Sequence, residues 1–437
     1  MKSSTELCAT ERRMLAEFRE PDLQQMQQVL PQELEQLARD TKALVRQRCM
    51  KGALPLLRLV LAYAMCDWSL RLVGAWASLQ KIAVVSDVAL LYRFRHCGAW
   101  LGVLIARVLQ QRNQYLSELG GVRLRLVDAS VISQPGSQGT DWRIHASLDL
   151  GKMCLDGIEL TDAHSGESLV RFEARADEIC VGDQGYAVAK GLGIALADQR
   201  WVLVRINWQN LRLHTLTGVR LDVLGWLKSL ARITERQVAL PTPSGDFELR
   251  LIACPLPAAE AEQARERVRK RAHKKGKAPN PNTLLAAGFV LLLTNLPADT
   301  WEAARVLWIY RLRWQIELQF KRLKGLLHFD HLRAQDPRLV QTYLLAKILA
   351  ALLLDTLVQQ AEEQNPAMFQ SLQRPVSRWR LDALLWQGLR DTLVGSLSVS
   401  KILDHFASLQ RYLCDPPRAR TQQLAWARRF LARLSGI

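Results

Sequence analysis

The chain has 437 residues, enough for a sizeable core and two or three domains. Its 59 Lys and Arg against 42 Asp and Glu leave a net charge of +17, which suits a polyanionic partner, nucleic acid before membrane. Its eight cysteines form no C-x2-C pair, and neither a Walker A motif nor a Gly-rich dinucleotide fingerprint occurs, so a zinc finger and ATP-driven work are set aside. No signal peptide opens the chain, so a reducing cytoplasm is the expected location.

Residues 1–120 read as helix throughout, a candidate DNA-binding region. Glu11–Arg19, Pro21–Asp40 and Leu54–Met65 carry apolar side chains at helical spacing. Ser69–Gln80 and Ser86–His96, separated by a break at Lys81–Val85, predict a helix-turn-helix, with Ser86 as N-cap and Asp87 in the first turn. Tyr92, Arg93 and Arg95 on the second helix could meet a DNA groove or backbone; an ordinary helical hairpin is the competing reading. The apolar runs Leu54–Met65 and Tyr343–Leu357 are short or broken by Arg58 and Lys347, and are read as buried helices, not membrane spans.

From residue 121 strands appear. Val122–Val127 is a strand that ends on Asp128, and Trp142–Leu150 and Cys154–Asp162 follow. Ile179–Val181 is a short strand leading to Asp183, Tyr186–Gln199 is helical, and Trp201–Ile206 is a fifth strand. Between Ile206 and Trp301, strand-like runs occur at Arg236–Leu240, Phe247–Cys254 and Phe289–Thr294, together with the basic run Arg265–Lys277. That run is either a solvated tail or a contact to a nucleic-acid backbone.

Tyr310–Lys324 contains no helix breaker and predicts one continuous helix. At about 100° per residue, Tyr310, Arg313, Lys321 and Lys324 all fall within roughly 40° of Glu317. Ile309, Leu312, Ile316, Phe320, Leu323 and Leu327 form an adjacent apolar stripe, and Arg311, Gln315, Gln319 and Arg322 a solvated face.

The spacing Tyr310-x2-Arg313-x3-Glu317-x6-Lys324 resembles the YREK signature of DDE transposases of the insertion-sequence-four family, and Lys321 matches a further basic position often found there. VDAS at 127–130 and GDQGY at 182–186 resemble the first and second aspartate motifs of that family, in the right order. Three strands, then strand–helix–strand, is the order of an RNase H-like α/β fold. The resemblance implies catalytic acids Asp128, Asp183 and Glu317 that hold two Mg²⁺ (or Mn²⁺) ions, and DNA contacts from Tyr310, Arg313, Lys321 and Lys324. Phosphoryl transfer with two ions about 3.5–4 Å apart explains the need for hard carboxylate ligands. Asp141, Asp149, Asp156, Asp162 and Asp177 are read as surface acids, and His145 and His164 as structural, since neither has a partner at ligand spacing.

The expected organisation is an RNase H-like core at 121–207 and 290–355, a β-rich insertion domain at 208–289 carrying the basic run, and helical regions at 1–120 and 356–437. In the last, Arg380–Leu389, Val399–Leu413 and Thr421–Leu434 read as helices, and Arg418, Arg420, Arg428, Arg429 and Arg433 make the end basic. The implied activity is cleavage of an insertion element's terminal inverted repeats and strand transfer into target DNA, with a hairpin intermediate and a homodimer holding two double-stranded ends. Family members that form hairpins use an aromatic from the insertion to receive a flipped base; Trp208 and Trp226 are the candidates by location only, a core tryptophan being the competing reading. The alternatives are an RNase H-like nuclease or resolvase without strand transfer, and a non-catalytic, transposase-derived DNA-binding protein.

Overall fold

The computed structural model describes residues 29–45, 50–112, 123–134, 136–137, 139–175, 177–369 and 376–395. The helices expected at 11–19, 399–413 and 421–434, and the five arginines from Arg418 to Arg433, lie outside these residues, as do residues 21–28 of the helix expected at 21–40. The chain divides into two compact units, residues 1–108 with 333–437, and residues 109–332.

The first unit is helical. A short helix, Leu34–Asp40, precedes α1 (Ala53–Met65), α2 (Leu70–Leu79), α3 (Asp87–Phe94) and α4 (Gly98–Arg112). A helix apolar on all sides must be buried, and in α1 Leu56, Leu57, Leu59, Val60 and Leu61 have no exposure. Its lone cation, Arg58, donates to the carbonyl of Leu393 at 2.9 Å. The cap expected at Ser86 is present, its Oγ accepting from Ala89 N at 3.2 Å, and Ser69 Oγ likewise accepts from Leu72 N at 3.3 Å. These caps start α2 and α3, which pack as a pair. On α3, Tyr92 is 59% exposed. Arg95, expected to face outward, instead pairs with Asp336 at 2.7 Å.

The second unit is built on eight strands: β1 (Arg123–Ile132), β2 (Trp142–Asp149), β3 (Cys154–Asp162), β4 (Glu178–Gly182), β5 (Trp201–Ile206), β6 (Thr234–Thr242), β7 (Gly245–Pro255) and β8 (Phe289–Thr294). They form one sheet in the order β3-β2-β1-β4-β5-β8-β7-β6. β1–β3 pair antiparallel, and β4 and β5 add in parallel beside β1. This 3-2-1-4-5 arrangement is the RNase H-like core. β8 then pairs antiparallel with β5, so the insertion strands β6 and β7 continue the core sheet through it. Helix α5 (Ala189–Ala197) lies across β5, β6 and β7 and buries Leu192, Ala195 and Leu196 against Val204, Val238 and Leu251. The basic run belongs to a helix, α6 (Ala258–Lys274).

Two local expectations are corrected. β1 does not end on Asp128 but runs on to Ile132, because β2 supplies ladder partners along that length, including Ala146 opposite Asp128. The single helix expected from Tyr310 to Lys324 is two: α7 (Ala303–Leu312) and α8 (Trp314–Leu327), joined at Arg313. At the joint the amides bond three residues back, Arg313 N to Tyr310 O at 3.1 Å and Ile316 N to Arg313 O at 3.2 Å. That tighter spacing breaks the four-residue ladder without any Pro or Gly. The apolar stripe is buried as expected, Ile316 at 0% and Leu323 at 3%. The face opposite is not wholly solvated: Gln319 and Arg322 are buried and hydrogen-bond each other.

The chain then returns to the first unit as α9 (Pro337–Gln364) and α10 (Arg378–Val394), both packed against α1. Asp336 caps α9 by accepting from Leu339 N at 3.0 Å, and Pro337 stands at its first turn. α9 is long and apolar enough to cross a membrane by length and composition, but 67% of its apolar window is buried within the protein. Lys347, which interrupts the apolar run, is 1% exposed, with its Nζ 3.7 Å from Asp67.

Candidate active site

The parallel register of β1 and β4 brings the two aspartates together. The ladder ends at Leu126 opposite Val181. Asp128 and Asp183 each lie two residues beyond it, on neighbouring strands that run about 5 Å apart. A period of two turns Asp128 to the same face as Leu126. Asp128 Oδ1 accepts from Ala129 N at 2.8 Å. Asp183 leaves β4 and caps the short 3₁₀ turn Gln184–Tyr186, its Oδ1 accepting from Gly185 N at 2.8 Å.

α8 packs on β1 and presents Glu317 from its first turn. Arg313, at the joint between α7 and α8, reaches both acids: its Nη1 is 3.6 Å from Asp128 Oδ2, and its Nη2 donates to Glu317 Oε1. Its guanidinium also stands 5.8 Å from the ring centre of Tyr310, which is half-buried. Lys321 is exposed and places its Nζ 4.6 Å over the exposed ring of Trp314, while Lys324 is half-buried.

The electrostatics follow from this crowding. Burial pushes the Asp128 carboxyl up to about 7; Asp183 and Glu317 add to the rise, while the Ala129 amide and Arg313 oppose it. Burial works against the Arg313 charge, yet Tyr310, Glu317 and Asp128 together hold it above its ordinary value. Burial also raises the Tyr310 phenol. Three acids from three elements therefore share one field, with a guanidinium reaching two of them.

Carboxylate oxygens are the donors a hard divalent cation takes, so the chemistry of this set fits one. Among the described residues, however, no three His, Cys, Asp or Glu side chains stand close enough to clasp an ion as they are. Arg313 supplies the neutralising charge between Asp128 and Glu317.

A cavity of about 450 Å³ adjoins these groups, lined by Asp183, Tyr310 and Arg313 and by Arg205, Trp208, Arg267 and Arg271. Sequence reasoning did not single out Arg205, and it assigned Arg267 and Arg271 only to a basic run. On α6, Arg269 pairs with Glu262 at 2.6 Å, and Arg265 meets Glu262 at 3.4 Å. Arg267 and Arg271, two and six residues beyond Arg265, line the cavity instead. Trp208 lines it as well, whereas Trp226 sits under Arg236, 5.6 Å from ring centre to guanidinium.

The other acids do not join the site. Asp149 and Asp156, expected at the surface, are 8% and 5% exposed. Asp156 pairs with Arg125 at 3.2 Å and Arg175 at 2.6 Å, and Glu178 meets Arg125 at 2.8 Å. Asp141 and Asp162 accept from the backbone amides of Gln134 and His164, and Asp177 is exposed at a positive φ of 58°. His145 is buried with its Nε2 3.0 Å from Thr161 Oγ1, and burial pulls it down to about 4. His164 is exposed.

Residues 121–353 match the family model of the transposase DDE domain. The chain is 41% identical over 347 residues to the transposase InsL for insertion sequence element IS186A of Escherichia coli (strain K12), covering 77% of this chain and 93% of that protein. It is equally 41% identical, over 348 residues, to the transposase for insertion sequence element IS421 of Escherichia coli, with the same coverage. Among solved structures, the piggyBac transposase synaptic complex with hairpin DNA overlaps at a TM-score of 0.42 and 11% identity, covering 89% of this chain and 83% of that one.

Proposed function

The chain belongs to the DDE transposases of the insertion-sequence-four family, enzymes that act with divalent metal ions, and from that membership we propose that it cuts the ends of its own insertion element and joins them to target DNA through Asp128, Asp183 and Glu317. The observation that carries this is geometric: Arg313 stands 3.6 Å from Asp128 and pairs with Glu317, and Asp128 and Asp183 each lie two residues beyond the end of the same β1–β4 ladder. Acids crowded in this way are at home beside cations. Two Mg²⁺ (or Mn²⁺) ions, when bound there, would activate the attacking hydroxyl and steady the leaving oxygen.

The protein's own side chains bind and orient the DNA. Arg313 exchanges its bonds to Asp128 and Glu317 for two oxygens of a DNA phosphate, a geometry that its planar fork suits. Tyr310, Lys321 and Lys324 hold neighbouring phosphates, and Arg205, Arg267 and Arg271 carry the same charge around the cavity. Exchange of this kind keeps the acids neutralised until substrate arrives. Of the two candidate tryptophans, Trp208 is the one to receive a flipped base in a hairpin intermediate, because it lines the cavity next to Asp183. The partners are double-stranded terminal inverted repeats and target DNA, held by a homodimer in the cytoplasm at the nucleoid.

Incubating the protein and Mg²⁺ with DNA that carries the element's ends tests this. Cleaved and joined products are expected. Asp183→Ala and Glu317→Ala should abolish both while DNA binding persists, since neither acid contacts phosphate. Cleavage that survives either change would refute the assignment, and cleavage without joining would identify a nuclease.

A further inference from the structure

The two glycines of Gly182–Tyr186 each make room for one neighbour of Asp183. A Cβ at Gly182 would lie 2.8 Å from the Cβ of Tyr186, so a bare Cα lets the turn fold the phenol ring back. Tyr186 is 2% exposed, and its hydroxyl has no hydrogen-bond partner among the described residues. That hydroxyl feels the charges of Asp128, Glu167 and Asp183. A Cβ at Gly185 would lie 1.5 Å from Glu167 Oε2 and 3.2 Å from Asp183 Oδ1. The two carboxylate oxygens are therefore no further apart than the sum of those distances.

Glu167 is half-buried, and its carboxylate makes no ion pair or hydrogen bond among the described residues. Burial raises it, and Asp183 raises it further. The nearby cation Arg143 opposes that rise, while its Nη1 donates to the carbonyl of Ser165 at 3.0 Å. Asp156, a buried acid of the fold, has donors of its own in Arg125 and Arg175. Glu167 has instead a second acid beside it and a buried phenol without a partner.

We propose that Glu167 is a fourth acid of the catalytic centre: it accepts hydrogen bonds from water carried by a divalent cation at Asp183, and the Tyr186 hydroxyl donates into the same network. Mg²⁺ keeps several of its waters when protein carboxylates bind it, and those waters need acceptors. Partners of this outer kind orient the ligands and set affinity. Glu167 and Tyr186 are positioning residues here. The inference rests on the reading of Asp128, Asp183 and Glu317 as the metal-holding acids.

The test is Mn²⁺ binding to the metal-free full chain, followed by calorimetry, beside cleavage of end-bearing DNA across a Mg²⁺ titration. Glu167→Gln should weaken Mn²⁺ binding by about 10- to 100-fold. It should also raise the Mg²⁺ needed for half-maximal cleavage by a similar factor, with a smaller loss at saturating Mg²⁺. Tyr186→Phe keeps the ring packing and should shift both in the same direction, by less. Gly185→Ala, whose methyl displaces the Glu167 carboxylate, should reproduce the Glu167→Gln result, which guards against an effect peculiar to one variant. Asp183→Asn is the control and should abolish Mn²⁺ binding. If Asp183→Asn abolishes binding while Glu167→Gln binds as wild type, the role of Glu167 is overturned and the three-acid site stands. If Asp183→Asn also binds as wild type, both are overturned.

Discussion

Asp128→Asn should make the metal-free protein more stable while removing its activity. The Asp128 side chain is 15% exposed, and burial followed by the charges of Asp183 and Glu317 takes its carboxyl from 3.8 to about 7. Each unit of such a shift is worth about 1.4 kcal/mol, so ionised Asp128 costs the fold roughly 2–4 kcal/mol. The folded chain binds this proton more tightly than the unfolded chain. Its contribution to stability is therefore complete below about pH 4 and is lost as pH rises to about 7. Asparagine keeps the shape and carries no charge. In EDTA, the melting temperatures of Asp128→Asn and wild type should coincide near pH 4, and the variant should be several degrees higher at pH 8. Mn²⁺ added at pH 8 should raise the wild type and leave the variant nearly unmoved. Equal melting temperatures at every pH, or a less stable variant at pH 8, would refute the idea that this acid is held at a cost, and would mean that Arg313 compensates it fully.

Arg313→Ala removes the guanidinium that reaches Asp128 and Glu317, so it should lower the melting temperature above pH 7. If Arg313 also grips phosphate, the slope of log DNA affinity against log salt should fall by about one unit, and an unchanged slope would sink the phosphate contact. Asp156→Ala takes a partner from Arg125, which is 5% exposed. With Glu178 still 2.8 Å away, the loss should sit near the low end for a broken buried pair, about 3 kcal/mol in urea unfolding. A loss under about 1 kcal/mol would show that Glu178 suffices alone.

Local patterns were legible where short-range chemistry decides them. Ser86 announced a helix start because a hydroxyl beside free amides is a local event. The strands of the core followed from alternation and β-branched runs, and their order carried the RNase H-like topology. The spacing of Asp128, Asp183 and Glu317 in motifs pointed to one site before any coordinate. Long-range packing was not legible. A helical wheel gives direction around an axis but not what lies against it, so Gln319 and Arg322 passed for a solvated face. Nothing in Tyr310–Lys324 breaks a helix, yet the amides of Arg313 and Ile316 bond three residues back and divide it at Arg313. Asp149 and Asp156 looked like surface acids because Arg125 and Arg175, which let Asp156 be buried, stand far off in sequence. The register of β1 on β4 sets Asp128 level with Asp183, and the loop that brings Glu167 to Gly185 leaves no pattern along the chain. Pairing, burial and neighbouring charge are properties of distance in space, and a linear order of residues does not contain them.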